Sequence, residues 1–166
     1  QRSFCPMFFN FSFLTQTLSM LRDAVKDDAP FVEVTQNLHT DVPESFHRTL
    51  NLPGFYLDAA RAWDSLIDIW SIDAYPNMIV AWPIQGSVGG ERVRNVSAVI
   101  SNASKRVFVM ETGYPALNPV AQPQPPVGAR VLNFSEVNQA EYASQAVQSV
   151  VAAGGAGFFF FEATQS

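Results

Sequence analysis

Four times along the chain, a stretch with helical hydrophobic spacing gives way to a short and mostly apolar run. "FLTQTLSMLRDAVKDD" aligns Leu14, Leu18, Leu21 and Val25 on one face. Pro30 ends it, and "FVEVTQN" reads as the strand that follows, with Glu33 in mid-strand. "FYLDAARAWDSL" aligns Tyr56, Ala59, Ala60 and Trp63 and leads into the strand "IDIWSIDAYP". "ERVRNVSAVISNAS" aligns Val93, Val96, Val99 and Ala103 and leads into "RVFVMET". "EVNQAEYASQAVQSVVAA" aligns Ala143, Val147 and Val150, stops at Gly154–Gly155, and precedes the strand "AGFFFFEA".

Helices alternating with apolar strands predict a parallel sheet with helical crossovers, an α/β fold. The strands are expected to start near 31, 67, 106 and 157, giving four helix–strand units. A closed eight-unit barrel takes about 250 residues. The chain therefore reads as half of a (β/α)8 TIM-type barrel or as a small open sheet, with no linker suggesting a second domain. The connections entering the strands are short. Those leaving them are long: "PNMIVAWPIQGSVGG" after the second strand and "PALNPVAQPQPPVGARVLNF" after the third. Long connections in a compact domain are commonly functional, and parallel α/β folds carry their sites at the carboxyl ends of the strands, where these loops lie.

Composition narrows the class. Of 166 residues, 48% are hydrophobic and 15% charged, as in a globular domain. The formal net charge of −5 and the absence of a basic cluster argue against a nucleic-acid surface. No stretch is long and apolar enough to span a membrane. "FCPMFFNFSFL" lacks the basic flank and small-residue cleavage site of a secretory leader. The single cysteine, Cys5, precludes an intrachain disulfide, and His39 and His47 are distant in sequence as partners for a reactive thiol. Four Asn-x-Ser sequons, at Asn10, Asn95, Asn102 and Asn133, tilt the expectation toward a secreted or cell-wall-associated glycoprotein.

Each strand ends in polar groups. The first offers Gln36, Asn37, His39 and Asp41; the second Asp73, Tyr75 and Asn77; the third Glu111 and Tyr114; the fourth Glu162. A carboxylate there is half desolvated and aimed at a cleft, which is how an acid becomes a tuned catalyst. The bland alternative is an acid simply solvated where a strand emerges into water. Glu111 ranks first for catalysis, with Glu162 and Asp73 behind it.

"VFVMETGYPA" resembles the strand-seven signature of the retaining β-glycosidase clan built on the TIM barrel, closest to the "ETGWPS" pattern of family 17 glycoside hydrolases, which are β-1,3-glucanases and related glucanosyltransferases. "IDIWSIDAYPN" resembles that family's strand six and "AGFFFFEA" its strand eight, in the right order. Family 53 β-1,4-galactanases, of the same clan, have similar pieces. The resemblance covers about Ile67 to Ala163, with weaker support from Phe31 to Asp41. It implies that residues 1–166 are strands five to eight of one partial barrel acting on a β-linked polysaccharide or oligosaccharide. It makes Glu111 the nucleophile, Tyr75 the hydroxyl supporting it, and Glu162 a contact to sugar hydroxyls.

Tyr114 stands where family 17 has Trp, and Asp73 where it has Asn. The clan's general acid is the Glu of an Asn-Glu pair ending strand four, and this sequence has no such pair, which places the acid before Gln1. Trp82, in the second long loop, is either a sugar platform or a loop anchor. Trp63 and Trp70 are expected in the core. His39 is either a substrate contact or a structural polar group. The Pro-rich stretch 115–126 reads as a stiff cleft wall. No metal-ligand spacing, phosphate-cradling loop or Ser/His/Asp arrangement is visible, so no cofactor is expected. Two readings follow: a retaining β-glycan hydrolase or transglycosylase, and an inactive carbohydrate-binding relative that keeps the cleft without the acid.

Overall fold

The computed structural model describes residues 11–40, 55–75, 86–114 and 135–160. Their order is α1 (Phe11–Asp28), β1 (Thr35–His39), α2 (Phe55–Trp63), β2 (Ile69–Asp73), α3 (Val88–Ser97), β3 (Val107–Thr112), α4 (Glu136–Ala152) and β4 (Gly157–Phe160). The strands form one sheet in the order β1-β2-β3-β4, every neighbouring pair parallel. This is the expected alternation, and the fold is of partial (β/α) barrel type. Among the described residues β1 and β4 are the sheet edges.

Strand alternation divides the sheet into two faces. Leu38, Trp70, Ile72, Val107 and Val109 join Tyr56, Ala59, Ala60, Trp63, Val93, Val96 and Val150 in the main core, between sheet and helices. Trp63 and Trp70 both lie there as expected, and each finds a partner for its indole N–H. Trp63 Nε1 donates to Thr15 Oγ1 at 2.8 Å and Trp70 Nε1 to Asp64 Oδ1 at 3.2 Å. Burying one such side chain contributes on the order of 3 kcal/mol. A second, smaller cluster under the last strands contains Tyr114, Tyr142 and Ala146, with Phe160 packed on it.

Helices α3 and α4 approach more closely than side chains allow. A Cβ at Gly90 would sit 2.2 Å from the Ser149 carbonyl oxygen, and one at Gly86 would sit 2.1 Å from Gln145 Cβ. Ser149 Oγ also donates to the Gly86 carbonyl at 3.0 Å. Ser135 caps α4 by accepting the Asn138 N–H at 3.1 Å. Gly154, at φ 75°, closes that helix, and the Gly155 N–H returns to the Val150 carbonyl at 2.9 Å.

Four expectations are corrected. The first strand begins at Thr35, not Phe31. A turn in which the Val32 N–H reaches the Ala29 carbonyl occupies the earlier positions, leaving Phe31 and Val32 exposed. Glu33 therefore precedes the strand and pairs with Arg106. Along α1 only Leu18 is fully buried, while Leu21 and Val25 are exposed, because among the described elements little packs on that side. The buried face of α4 is Tyr142, Ala146 and Val150, one position back from Ala143 and Val147. The Tyr142 hydroxyl reaches a buried partner beneath the sheet, and that fixes the helix's rotation. Finally, α3 starts at Val88, and Ala103 lies beyond it in an exposed turn.

Candidate active site

The face of the sheet opposite the main core carries the residues that alternate with it. Its lower layer joins Thr35 Oγ1 and Ser71 Oγ at 2.9 Å. One layer toward the carboxyl ends, the Asn37 amide donates to Asp73 Oδ1. The Thr40 hydroxyl donates to the Asp73 carbonyl, fixing the end of β2 from the other side. Asp73 is only 1% exposed, so its carboxylate is held rather than waving in solvent.

Glu111 sits at an irregularity. Ile72 pairs with Val109, but the next partner of Asp73 is Glu111, so Met110 is an extra residue in β3. One extra residue is also present against β4, where three steps from Val109 to Thr112 face two from Phe158 to Phe160. This bulge resets the alternation. Val109 and Thr112 are both buried on the helix side, while Glu111 is half-buried beside Asp73. The Glu111 carbonyl accepts the Ala74 N–H at 2.8 Å.

Behind this end of the sheet lies a buried polar network. Thr112 Oγ1 donates to the Ala74 carbonyl at 2.7 Å and is 2.5 Å from the Tyr142 hydroxyl. Ala74 is thus gripped on its N–H by residue 111 and on its carbonyl by residue 112. Tyr75 follows immediately, so the segment leaving β2 is tied to the segment carrying Glu111.

The structure brings Asn37, Asp73 and Glu111 to one end of one face, with Tyr75 adjoining in sequence. Tyr114 is elsewhere. It is buried against α4, its ring stacked on Tyr142 with centroids 5.4 Å apart, and its carbonyl accepts Gln139 Nε2 at 2.7 Å. Burial, with the charge of Glu141 second, pushes its hydroxyl pKa up. The backbone of His39 belongs to β1 opposite Asp73. Asp41, Asn77, Trp82, Glu162, Cys5 and the 115–126 stretch lie outside the described residues.

Sequence reasoning missed Thr112 and Tyr142 as supports. Thr112 follows Glu111 directly, and a hydroxyl continuing an apolar strand was the available signal. Tyr142 had no local signal, because its partner is 30 residues away. Also missed were Asp64 and Asp68 at the opposite, amino-terminal end. Burial pushes the Asp64 carboxyl up, but hydrogen bonds from Ser101, Lys105 and Trp70 outweigh it and hold the group well below the usual carboxylate range. Asp68 is likewise held low, against burial, by Lys26 and the Val34 N–H.

No family profile matches the chain, and no curated protein matches it in sequence. Solved structures do match. An endo-1,4-beta-D-mannanase from Thermotoga petrophila RKU-1 superposes with a TM-score of 0.59 at 15% identity, over 94% of this chain and 42% of that one. A structure from a study of two fungal beta-1,4-galactanases gives 0.55 at 20% identity, over 89% and 43%. A GH53 catalytic domain from Ignisphaera aggregans gives 0.58 at 19% identity, over 91% and 41%. The neighbours are glycoside hydrolases, and at these identities they establish the fold. The chain spans less than half the length of each of the three.

Proposed function

We propose that this chain is part of a retaining β-glycan hydrolase or transglycosylase in which Glu111 is the nucleophile. The observation that carries the reading is the bulge. It places Glu111 beside Asp73 at the carboxyl end of parallel strands, in a fold shared with a mannanase and with galactanases. In this reading the four units are strands five to eight of the barrel.

A retaining mechanism requires a carboxylate held still beneath the sugar ring. Glu111 attacks the anomeric carbon, and the glycosyl–enzyme bond forms as the bond to the leaving oxygen breaks. A second carboxyl, about 5 to 5.5 Å away, protonates that oxygen and then deprotonates the incoming water or sugar hydroxyl. Glu111 is suited to the first role because both its own carbonyl and the next side chain are tied to Ala74. Tyr75, next in sequence to the tied Ala74, is proposed to support the nucleophile. Asp73, oriented by Asn37, is proposed to hold the floor of the site beside Glu111 and to meet a sugar hydroxyl there. Glu162, Trp82 and His39 complete the proposed substrate contacts, while Tyr114, buried against α4, would support the end of the strand that carries Glu111.

The general acid is proposed to come from the other half of the barrel. The substrate is proposed to be a β-1,3-glucan, on the Glu-Thr-Gly-aromatic-Pro stretch, and the setting secreted or cell-wall associated. The test is covalent trapping in the protein that carries this chain within a complete barrel. A 2-fluoro glucoside with a good leaving group should leave its adduct on Glu111, located by peptide mass mapping. An adduct on another carboxylate would move the nucleophile there. No adduct and no turnover, with glucan binding retained, would favour the inactive carbohydrate-binding relative.

A further inference from the structure

Two sequons fall within the described residues, and the structure treats them in opposite ways. Asn95 lies inside α3 between the buried Val93 and Val96, and its Nδ2 donates to the Tyr56 hydroxyl at 3.1 Å. That amide is engaged in packing and lies on a regular helix. Asn102 lies in the turn between α3 and β3, and residues 101 to 104 are all exposed. Its Oδ1 accepts from the Ser104 N–H at 3.0 Å and from Ser104 Oγ at 2.6 Å. Asparagine and hydroxyl residue are therefore already folded onto each other, and among the described residues Nδ2 makes no hydrogen bond.

A second observation comes from the surface beside this turn. Asn102 and Ser104 line an open groove of about 370 Å³ at the amino-terminal end of the sheet, together with Pro30 and Phe31. Phe31 is 86% exposed, the most of the large apolar side chains among the described residues. A ring exposed in a polar groove leaves apolar surface that a covering group would remove from water. The apolar face of a pyranose, with polar hydroxyls around its edge, matches a groove that also holds Glu33, Lys105 and Arg106.

We propose that Asn102 carries an N-linked glycan whose first sugar packs on Phe31, and that Asn95 is unmodified. The inference rests on passage through the secretory route and is independent of the proposed reaction. In the transfer, Asn102 Nδ2 forms a bond to C1 of an oligosaccharide carried on a polyprenyl diphosphate. The C1–O bond breaks, the lipid diphosphate leaves with its electron pair, and the amide gives up one proton. The glycan would stand at the end of the sheet opposite Glu111, leaving the carboxyl-end cleft open.

The test uses protein isolated from its own source and released by peptide N-glycosidase in heavy-oxygen water. The expected result is Asn102 recovered as labelled aspartate and Asn95 as unlabelled asparagine. Asn102 unlabelled while another sequon is labelled would overturn the proposal alone. No label at any sequon would overturn it together with the secretory reading. The sugar contact is read separately, on wild-type and Phe31→Ala protein, each made with and without glycosylation. Glycosylation should raise Tm by about 2–4 °C in wild type and by much less in Phe31→Ala. An equal gain in both would overturn the packing on Phe31.

Discussion

At the amino-terminal end of the strands, Asp64 accepts from Ser101, Trp70 and Lys105, Asp68 from Lys26 and the Val34 N–H, and Glu33 from Arg106. At the carboxyl-terminal end, Asp73 accepts from an amide and Glu111 is tied through its backbone. Both ends carry carboxylates, and the partners differ in kind. The first end sets acids against lysine and arginine, which neutralises them and draws β1, β2 and β3 together. At the second, an amide donor orients Asp73 and a backbone bond fixes the residue that carries the Glu111 side chain. Acids paired with cations at the strand starts serve the fold; acids oriented at the carboxyl ends of parallel strands lie where α/β folds carry their chemistry.

Removing the chemistry from the second end should have the largest effect. Glu111→Gln in the complete barrel should lower kcat by on the order of 10⁴-fold or more, because an amide cannot attack the anomeric carbon. Its unfolding free energy in urea should stay within about 0.5 kcal/mol of wild type. A collapse of stability in Glu111→Gln would erase the contrast between the two ends.

Asp64→Ala should behave in the opposite way. It strands the Lys105 ammonium, the Trp70 N–H and the Ser101 N–H together, and should cost about 3–5 kcal/mol in denaturant unfolding. Activity per folded molecule should not change. The same end should set the acid limit of stability. The folded pKa values of Asp64 and Asp68 lie below their unfolded values, so their contribution is fully present above about pH 4. It is lost as pH falls through the depressed folded values. Asp64→Asn should flatten the fall in Tm between about pH 4 and pH 2, and an unchanged slope would remove Asp64 from that role.

A smaller change sharpens the picture at the carboxyl end. Tyr142→Phe removes one buried hydroxyl from the Thr112–Ala74 network and should cost about 1–2 kcal/mol. If the network positions Glu111, kcat should fall several-fold with KM nearly constant. Equal loss of stability with no change in kcat would make Tyr142 a packing residue only.

The sequence made some of this legible and concealed the rest for identifiable reasons. β2, β3 and β4 are short apolar runs flanked by short turns, and their periodicity places them within a residue or two. The first strand is displaced because "FVEV" has the composition of a strand, while the backbone there is claimed by the Ala29–Val32 turn and by the bond from the Val34 N–H to Asp68, 34 residues away. The bulge at Met110 is invisible to periodicity, since nothing in "VFVMET" announces an extra residue. It is nevertheless what turns Glu111 to the face opposite the main core while Thr112 is buried. Glu111 and Asp73 were found from their position at strand ends. Thr112 and Tyr142 were not, because their meaning comes from a contact between a strand and the helix that follows it.

Two glycines, Gly86 just before α3 and Gly90 within it, have a consequence for how such a chain can change. With Gly86 and Gly90 seated on Gln145 and Ser149, helices α3 and α4 have no room to slide against each other. The connections that leave β2 and β3 re-enter the fold at the starts of these two helices, so both return to one fixed foundation. Lengthening or rewriting residues 76–85 or 115–134 should then leave the strands that carry Asp73 and Glu111 unshifted. New binding specificities could be grafted here by exchanging loops alone, provided the two glycines are left untouched.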